Sequence, residues 1–226
     1  MLHMHTTDIR IDWPWVRDEL MKKEHIRRGS APHAVFEKHC RHARRLAVPT
    51  VISVEKKIAC PGPGTVTVSP SVTLHGARLQ AALRGASHAC IFLVTIGDEL
   101  ENTASGYMKV GDSLEGYMLD RIGSFAVESL AENFEDRLRK IYGAKKRSVS
   151  MRVSPGYCDW PVEEQSKLAK LLDFSRAGVR LTESLMMVPK KSISGLVGIG
   201  PEGLFSKTGS RCGMCDNKEC AYRSSS

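Results

Sequence analysis

The chain is poor in aromatic residues, with 6% Phe, Trp and Tyr, and it contains no long apolar run. No stretch reaches the roughly 18 apolar residues that a membrane-crossing helix needs. The opening Met1-Leu2-His3-Met4-His5 lacks the basic-then-apolar pattern of a secretory signal, so the cytoplasm is the expected compartment. Zinc-finger, RNA-recognition and helix-turn-helix signatures are absent, as is any internal repeat. Strands and helices do not alternate regularly, which argues against a parallel βαβ sheet.

What is present fits an ordinary soluble globular chain: 226 residues, 42% apolar and 26% charged. The formal net charge is +8. Basic clusters lie at Lys22-Lys23, Arg27-Arg28, Arg41 to Arg45, Lys145 to Arg147 and Lys190-Lys191. Such an excess attracts nucleic acid, an anionic cofactor or an acidic protein. A solvated surface explains any single cluster as well, and without a recognition motif nucleic acid is not the expected partner.

Periodicity outlines the elements. Residues 8–28, with Ile9, Ile11, Trp13, Trp15, Val16 and Leu20, read as a strand-like start running into a helix after Pro14, and a second helix is expected from about Ala31 to Ala47. Thr50–Ile58 and Thr65–Val72 read as a hairpin around Pro61-Gly62-Pro63-Gly64. Leu74–Leu83 reads as a helix and Ala89–Ile96 as a central strand. The longest helix runs from about Asp112 to Tyr142, between Gly111 and Gly143. On it, Asp120, Ser124, Glu128 and Glu132 are spaced by four and share one line, where like charges repel. A short helix from Pro161 to Leu172, opened by Asp159, precedes two strands at Arg180–Pro189 and Ser192–Ile199. The expected fold is α+β: a twisted, largely antiparallel sheet flanked by helices, with one long central helix. It should cover residues 1–200, with 201–226 as a cysteine-containing extension.

Chemistry concentrates between Met151 and Gly195. Ser148 to Val153 is strand-like and is broken at Arg152-Val153-Ser154-Pro155-Gly156-Tyr157. Pro155 forces Ser154 to be extended and Gly156 admits a positive φ, so the backbone turns sharply and turns polar groups outward. Arg152 offers a planar fork for a carboxylate, and Tyr157 a flat ring with a hydroxyl. An amino-acid-like ligand with an aromatic base suits that pair.

The ordered series RxSPGY (152–157), an amphipathic helix, LTES (181–184), MxP (187–189) and SxSG (192–195) resembles the activation (reactivation) domain of cobalamin-dependent methionine synthase. Glu128 to Glu132 followed by Arg137 to Lys140 is similar to that domain's long helix. The resemblance implies a module that binds S-adenosylmethionine and presents its methyl to cob(II)alamin during reductive methylation. The corrinoid would sit on a partner, a cobalamin-dependent methionine synthase or methyltransferase, with a small electron-transfer protein supplying the electron. As no catalytic or cobalamin-binding module is recognised, a stand-alone protein is expected. By this resemblance Glu128 is a carboxylate of the S-adenosylmethionine site, and Arg152 grips the ligand carboxylate. Ser154 and Gly156 read the adenine edge, Tyr157 packs on the ligand and Glu183 orients Arg152 or the turn. No side chain need act as acid or base.

The C-terminal Cys212, Cys215 and Cys220 form C-x2-C-x4-C, which is outside the family pattern. The spacing suits zinc or an iron–sulfur cluster, with Cys158 as a candidate fourth ligand. The strand after SxSG, Leu196 to Pro201, lacks the aromatics usual in the family. Together these support a second expectation: a metal-bearing, corrinoid-handling redox protein that no longer uses S-adenosylmethionine. Cys40, Cys60 and Cys90 read as core or loop residues.

Overall fold

The structure, a computed structural model, describes residues 9–60, 62–68 and 72–206. A six-stranded antiparallel sheet forms the centre, in the order β3-β2-β1-β4-β8-β5. Its strands are β1 (Thr50–Ala59), β2 (Thr65–Val68), β3 (Val72–His75), β4 (His88–Thr95), β5 (Arg147–Val149) and β8 (Ser192–Pro201). The α+β expectation holds, and β4 is the central strand that its apolar run predicts.

β4 shows why both faces are covered. Cys90, Phe92 and Val94 point into one cluster, and Ala89, Ile91 and Leu93 into the other. With its side chains alternating at period two and all apolar, the strand has no wet face. The first face packs against α1 (Trp13–Lys23), α2 (Ala31–Leu46), α4 (Glu99–Lys109) and α5 (Ser113–Gly143). The second is covered by α3 (Ala77–Ala82), α6 (Gln165–Leu171) and the segment around Phe174.

α5 has 31 residues and is therefore about 46 Å long. Met118, Ile122, Ala126, Leu130, Phe134 and Leu138 form its buried stripe, and Phe134 meets Phe92 at 4.9 Å between ring centroids. α4 has no counterpart among the expected elements. It lies close against α5 because α5 offers glycine there. A Cβ at Gly116 would meet the Ala104 carbonyl at 2.8 Å, and one at Gly123 would meet Leu100 at 2.5 Å. No helix among the described residues is long and apolar enough to cross a membrane.

Four further expectations need correction. Thr65–Val72 is not one strand: β2 ends at Val68, and β3 pairs back on it with Val68 opposite Val72. Leu74 and His75 belong to β3, so only Ala77–Ala82 of Leu74–Leu83 is helical. Arg180–Pro189 is a small hairpin of its own, β6 (Arg180–Leu181) against β7 (Met187–Val188). Asp159 does not cap the helix that follows it. Its carboxylate accepts the Arg78 N–H at 3.1 Å and so caps α3, whose N-terminal Gly76 has no side chain to do so.

Candidate functional site: a bulged segment clamped to the long helix

The Arg152–Tyr157 motif sits at the end of β5, against β8. Val153 lies four positions beyond Val149, but their partners Ile199 and Leu196 are only three positions apart. One residue is therefore extra, and the segment is bulged. Ser150 is tied to Gly198 on one side of the bulge, through N–H to carbonyl at 2.9 Å and through its hydroxyl at 2.8 Å. Val153 and Leu196 exchange two backbone bonds on the other, each 2.9 Å. The Arg152 N–H between them has no strand to pair with. Glu135 of α5 accepts it at 2.7 Å.

The bulge aims the Arg152 side chain at α5, where it is almost wholly buried. Its Nη2 donates to Glu128, and its Nε lies 3.5 Å from the second oxygen of Glu135. Two carboxylates thus flank one guanidinium. Glu135 is itself 5% exposed and also faces Arg139 at 3.6 Å, while the Glu128 side chain is 35% exposed. Burying such charges is tolerable only because each is paired and hydrogen-bonded.

The acidic line along α5 now has its answer. The Lys191 Nζ lies 2.7 Å from Asp120 and donates to Ser124 at 2.9 Å; Arg152 meets Glu128 one turn further on. Repulsion expected from the sequence is offset by cations arriving from β8's start and from the bulge.

Beyond Val153 the chain turns as Pro155-Gly156 predicts. Gly156 has φ +86° and donates to the Trp160 carbonyl at 2.8 Å, and the Tyr157 N–H reaches the Ser154 carbonyl at 3.3 Å. The Tyr157 side chain is 69% exposed. The SxSG motif explains why this turn can lie so close to the sheet. A Cβ on Gly195 would sit 2.3 Å from the Val153 carbonyl oxygen and 2.9 Å from the Ser154 hydroxyl. Ser194 exchanges hydrogen bonds with the Gln165 amide at 2.7 and 3.0 Å, anchoring α6 to β8. Ser192 bonds Thr95 and the Pro189 carbonyl.

Arg152, Glu128 and the Ser154–Tyr157 turn are therefore brought together. Glu183 is exposed at the turn between β6 and β7, and the acids that hold Arg152 are Glu128 and Glu135. The i, i+7 spacing of those two acids was the available signal for Glu135. Cys212, Cys215 and Cys220 lie outside the described residues. Cys158 is exposed, and Cys40 and Cys90 are buried, each with its thiol pushed up to about 12 by burial. Among the described residues no group of three or more His, Cys, Asp or Glu is arranged to hold a metal ion.

β8 lacks side chains at Gly198 and Gly200, and the chain that follows fills the space. A Cβ at Gly198 would meet Phe205 at 3.3 Å, and one at Gly200 would meet Leu204 at 2.3 Å. An aromatic thus does cover this strand, but it comes from beyond its end. Arg152 lines neither of two surface clefts. One, of about 370 Å³, lies by Trp13 and Arg44, and the other, of about 410 Å³, by Ile26 and Tyr117.

Fold and site together define an α+β domain in which a bulged segment beside β8 is clamped by ion pairs to one long helix. The family model described as vitamin B12-dependent methionine synthase, activation domain, matches residues 80–211, and the chain belongs to that family. A solved structure with the same fold is the crystal structure of the MetH reactivation domain bound to AdoHcy. It aligns with a TM-score of 0.65 and 17% identity, over 92% of this chain and 80% of that one.

Proposed function

We propose that this chain binds S-adenosylmethionine beside the Arg152–Glu128 pair and presents its methyl group to the corrinoid of a cobalamin-dependent methionine synthase or methyltransferase. The carrying observation is the buried Arg152, delivered by a bulge to the half-exposed Glu128 on α5 in a chain of the activation-domain family. The solved relative holds AdoHcy, which has the same amino-acid end as S-adenosylmethionine.

In this reading the ligand carboxylate takes the place of Glu128 on the Arg152 fork, and Glu128 turns to the ligand ammonium. The exchange conserves charge pairs, so a buried ion is never left alone. Ser154 and the Gly156 carbonyl meet the adenine edge, and Tyr157 packs over the ligand. The corrinoid supplies the metal-centred methyl transfer; the protein contributes orientation and a docking surface. A small electron-transfer protein completes the partner set. The basic surface assists encounters with partners of opposite charge.

Calorimetric titration tests this. S-adenosylmethionine and S-adenosylhomocysteine should each give saturable heat, and Arg152→Ala should abolish it. Absence of heat with either ligand at millimolar concentration would remove the proposal. Iron and zinc analysis of the same preparation addresses Cys212, Cys215 and Cys220: a stoichiometric metal without S-adenosyl binding would favour the corrinoid-handling redox role.

A further inference from the structure

We infer that Glu135 is the positioning residue of this site, holding Arg152 by main chain and side chain at once so that the outer edge of its guanidinium faces the ligand carboxylate. The inference rests on the reading of Arg152 given above and adds a residue to it.

A bulge leaves a backbone N–H without a ladder partner, and in a residue as buried as Arg152 such a donor needs an acceptor. Glu135 is that acceptor at 2.7 Å, and its other oxygen faces the Arg152 Nε at 3.5 Å. One carboxylate therefore sets both the origin and the direction of the side chain. Nε is the inner edge of the guanidinium. With it committed to Glu135, Nη2 is the nitrogen that projects to Glu128, and Glu128 is the more exposed of the two acids. A fork pre-oriented in this way loses less conformational freedom on binding. Arg139, 3.6 Å from Glu135, steadies the carboxylate from outside.

Charge alone predicts the opposite effect. A carboxylate beside Arg152 repels an incoming carboxylate, so removing it would tighten binding if orientation were unimportant. The sign of the change therefore decides between positioning and competition.

The test compares two ligands in the full chain by calorimetry: S-adenosylhomocysteine, which has the amino-acid end, and 5′-deoxy-5′-methylthioadenosine, which lacks it. Glu135→Gln keeps an oxygen for the Arg152 N–H but weakens the hold on the guanidinium. It should weaken S-adenosylhomocysteine about tenfold, the size expected for a charged hydrogen bond. Methylthioadenosine should change by less than about twofold on the same scale. A general loss of structure would weaken both ligands alike. Equal losses, no loss, or tighter S-adenosylhomocysteine binding would each overturn the inference. If wild-type protein binds neither ligand, the S-adenosyl reading itself has failed. Should Glu135→Gln not fold, the half-exposed Arg139→Ala takes its place, with the same selective loss at smaller size and the same refuting outcomes.

Discussion

Gly195→Ala is the substitution whose cost the structure states most directly. The added carbon would lie 2.3 Å from the Val153 carbonyl oxygen, 2.9 Å from the Ser154 hydroxyl and 3.2 Å from the Phe92 ring. The first neighbour is backbone, and that same carbonyl accepts the Leu196 N–H at 2.9 Å. Relief therefore requires the Arg152 segment to move off β8, which breaks the two bonds shared by Val153 and Leu196. Two backbone bonds are worth about 0.5–1.5 kcal/mol each. Overpacking adds about 1–3 kcal/mol. The total is about 2–6 kcal/mol, and at about 2–4 °C per kcal/mol for a chain of this size the melting temperature should fall by at least about 4 °C. The displaced Arg152 should also lose its ligand. Differential scanning calorimetry with and without S-adenosylhomocysteine measures both effects. Gly106→Ala on α4 is the control, since nothing lies within 4 Å of its added carbon. There, helix propensity predicts no loss, or a gain of up to about 1 kcal/mol. If Gly195→Ala melts and binds like wild type, close approach of the motif to the sheet is not what the glycine provides.

Two further outcomes follow from local chemistry. Asp159→Ala removes the cap of α3, and the urea midpoint should fall by an amount equivalent to about 0.5–2 kcal/mol, the usual value of such a cap; an unchanged midpoint would refute its capping role. Glu115 on α5 is held below the ordinary carboxyl value of 4.5, chiefly by the hydrogen bond from the buried His39 of α2, aided by Lys38. A depressed folded-state value means that this stabilisation is present above the ordinary carboxylate range and lost as pH falls through the lowered value. Glu115→Gln should therefore flatten the acid limb of the stability–pH curve below about pH 4.5, and identical limbs would count against the pairing.

The sequence displayed some of these features and hid others for physical reasons. The long helix and β4 were legible because their apolar periods run without interruption. The Pro155-Gly156 turn was legible because only a few backbone geometries suit that pair. α4 was hidden because only Leu100 and Ala104 are fully buried on it, and its place is set by glycines on another helix. The cations that answer the acidic line come from Lys191 and Arg152, and a one-dimensional reading of α5 cannot supply them. The role of Asp159 is not legible in the sequence because it caps a helix about 80 residues earlier, across the molecule. Glu135 is hidden in the sequence because a ladder counted in steps of four passes from Glu128 to Glu132, while the bulge faces the residue seven positions on.

β8 is held against β4 by an uninterrupted series of pairs, from Thr95 opposite Ser192 to His88 opposite Ile199. Slipping the whole of β8 by one residue against β4 would exchange its faces: Ser194 would leave Gln165, and Leu196 would turn into the layer now occupied by Val197. The Thr182–Met186 turn lies outside that ladder, so an added residue there leaves the pairing of β8 with β4 untouched.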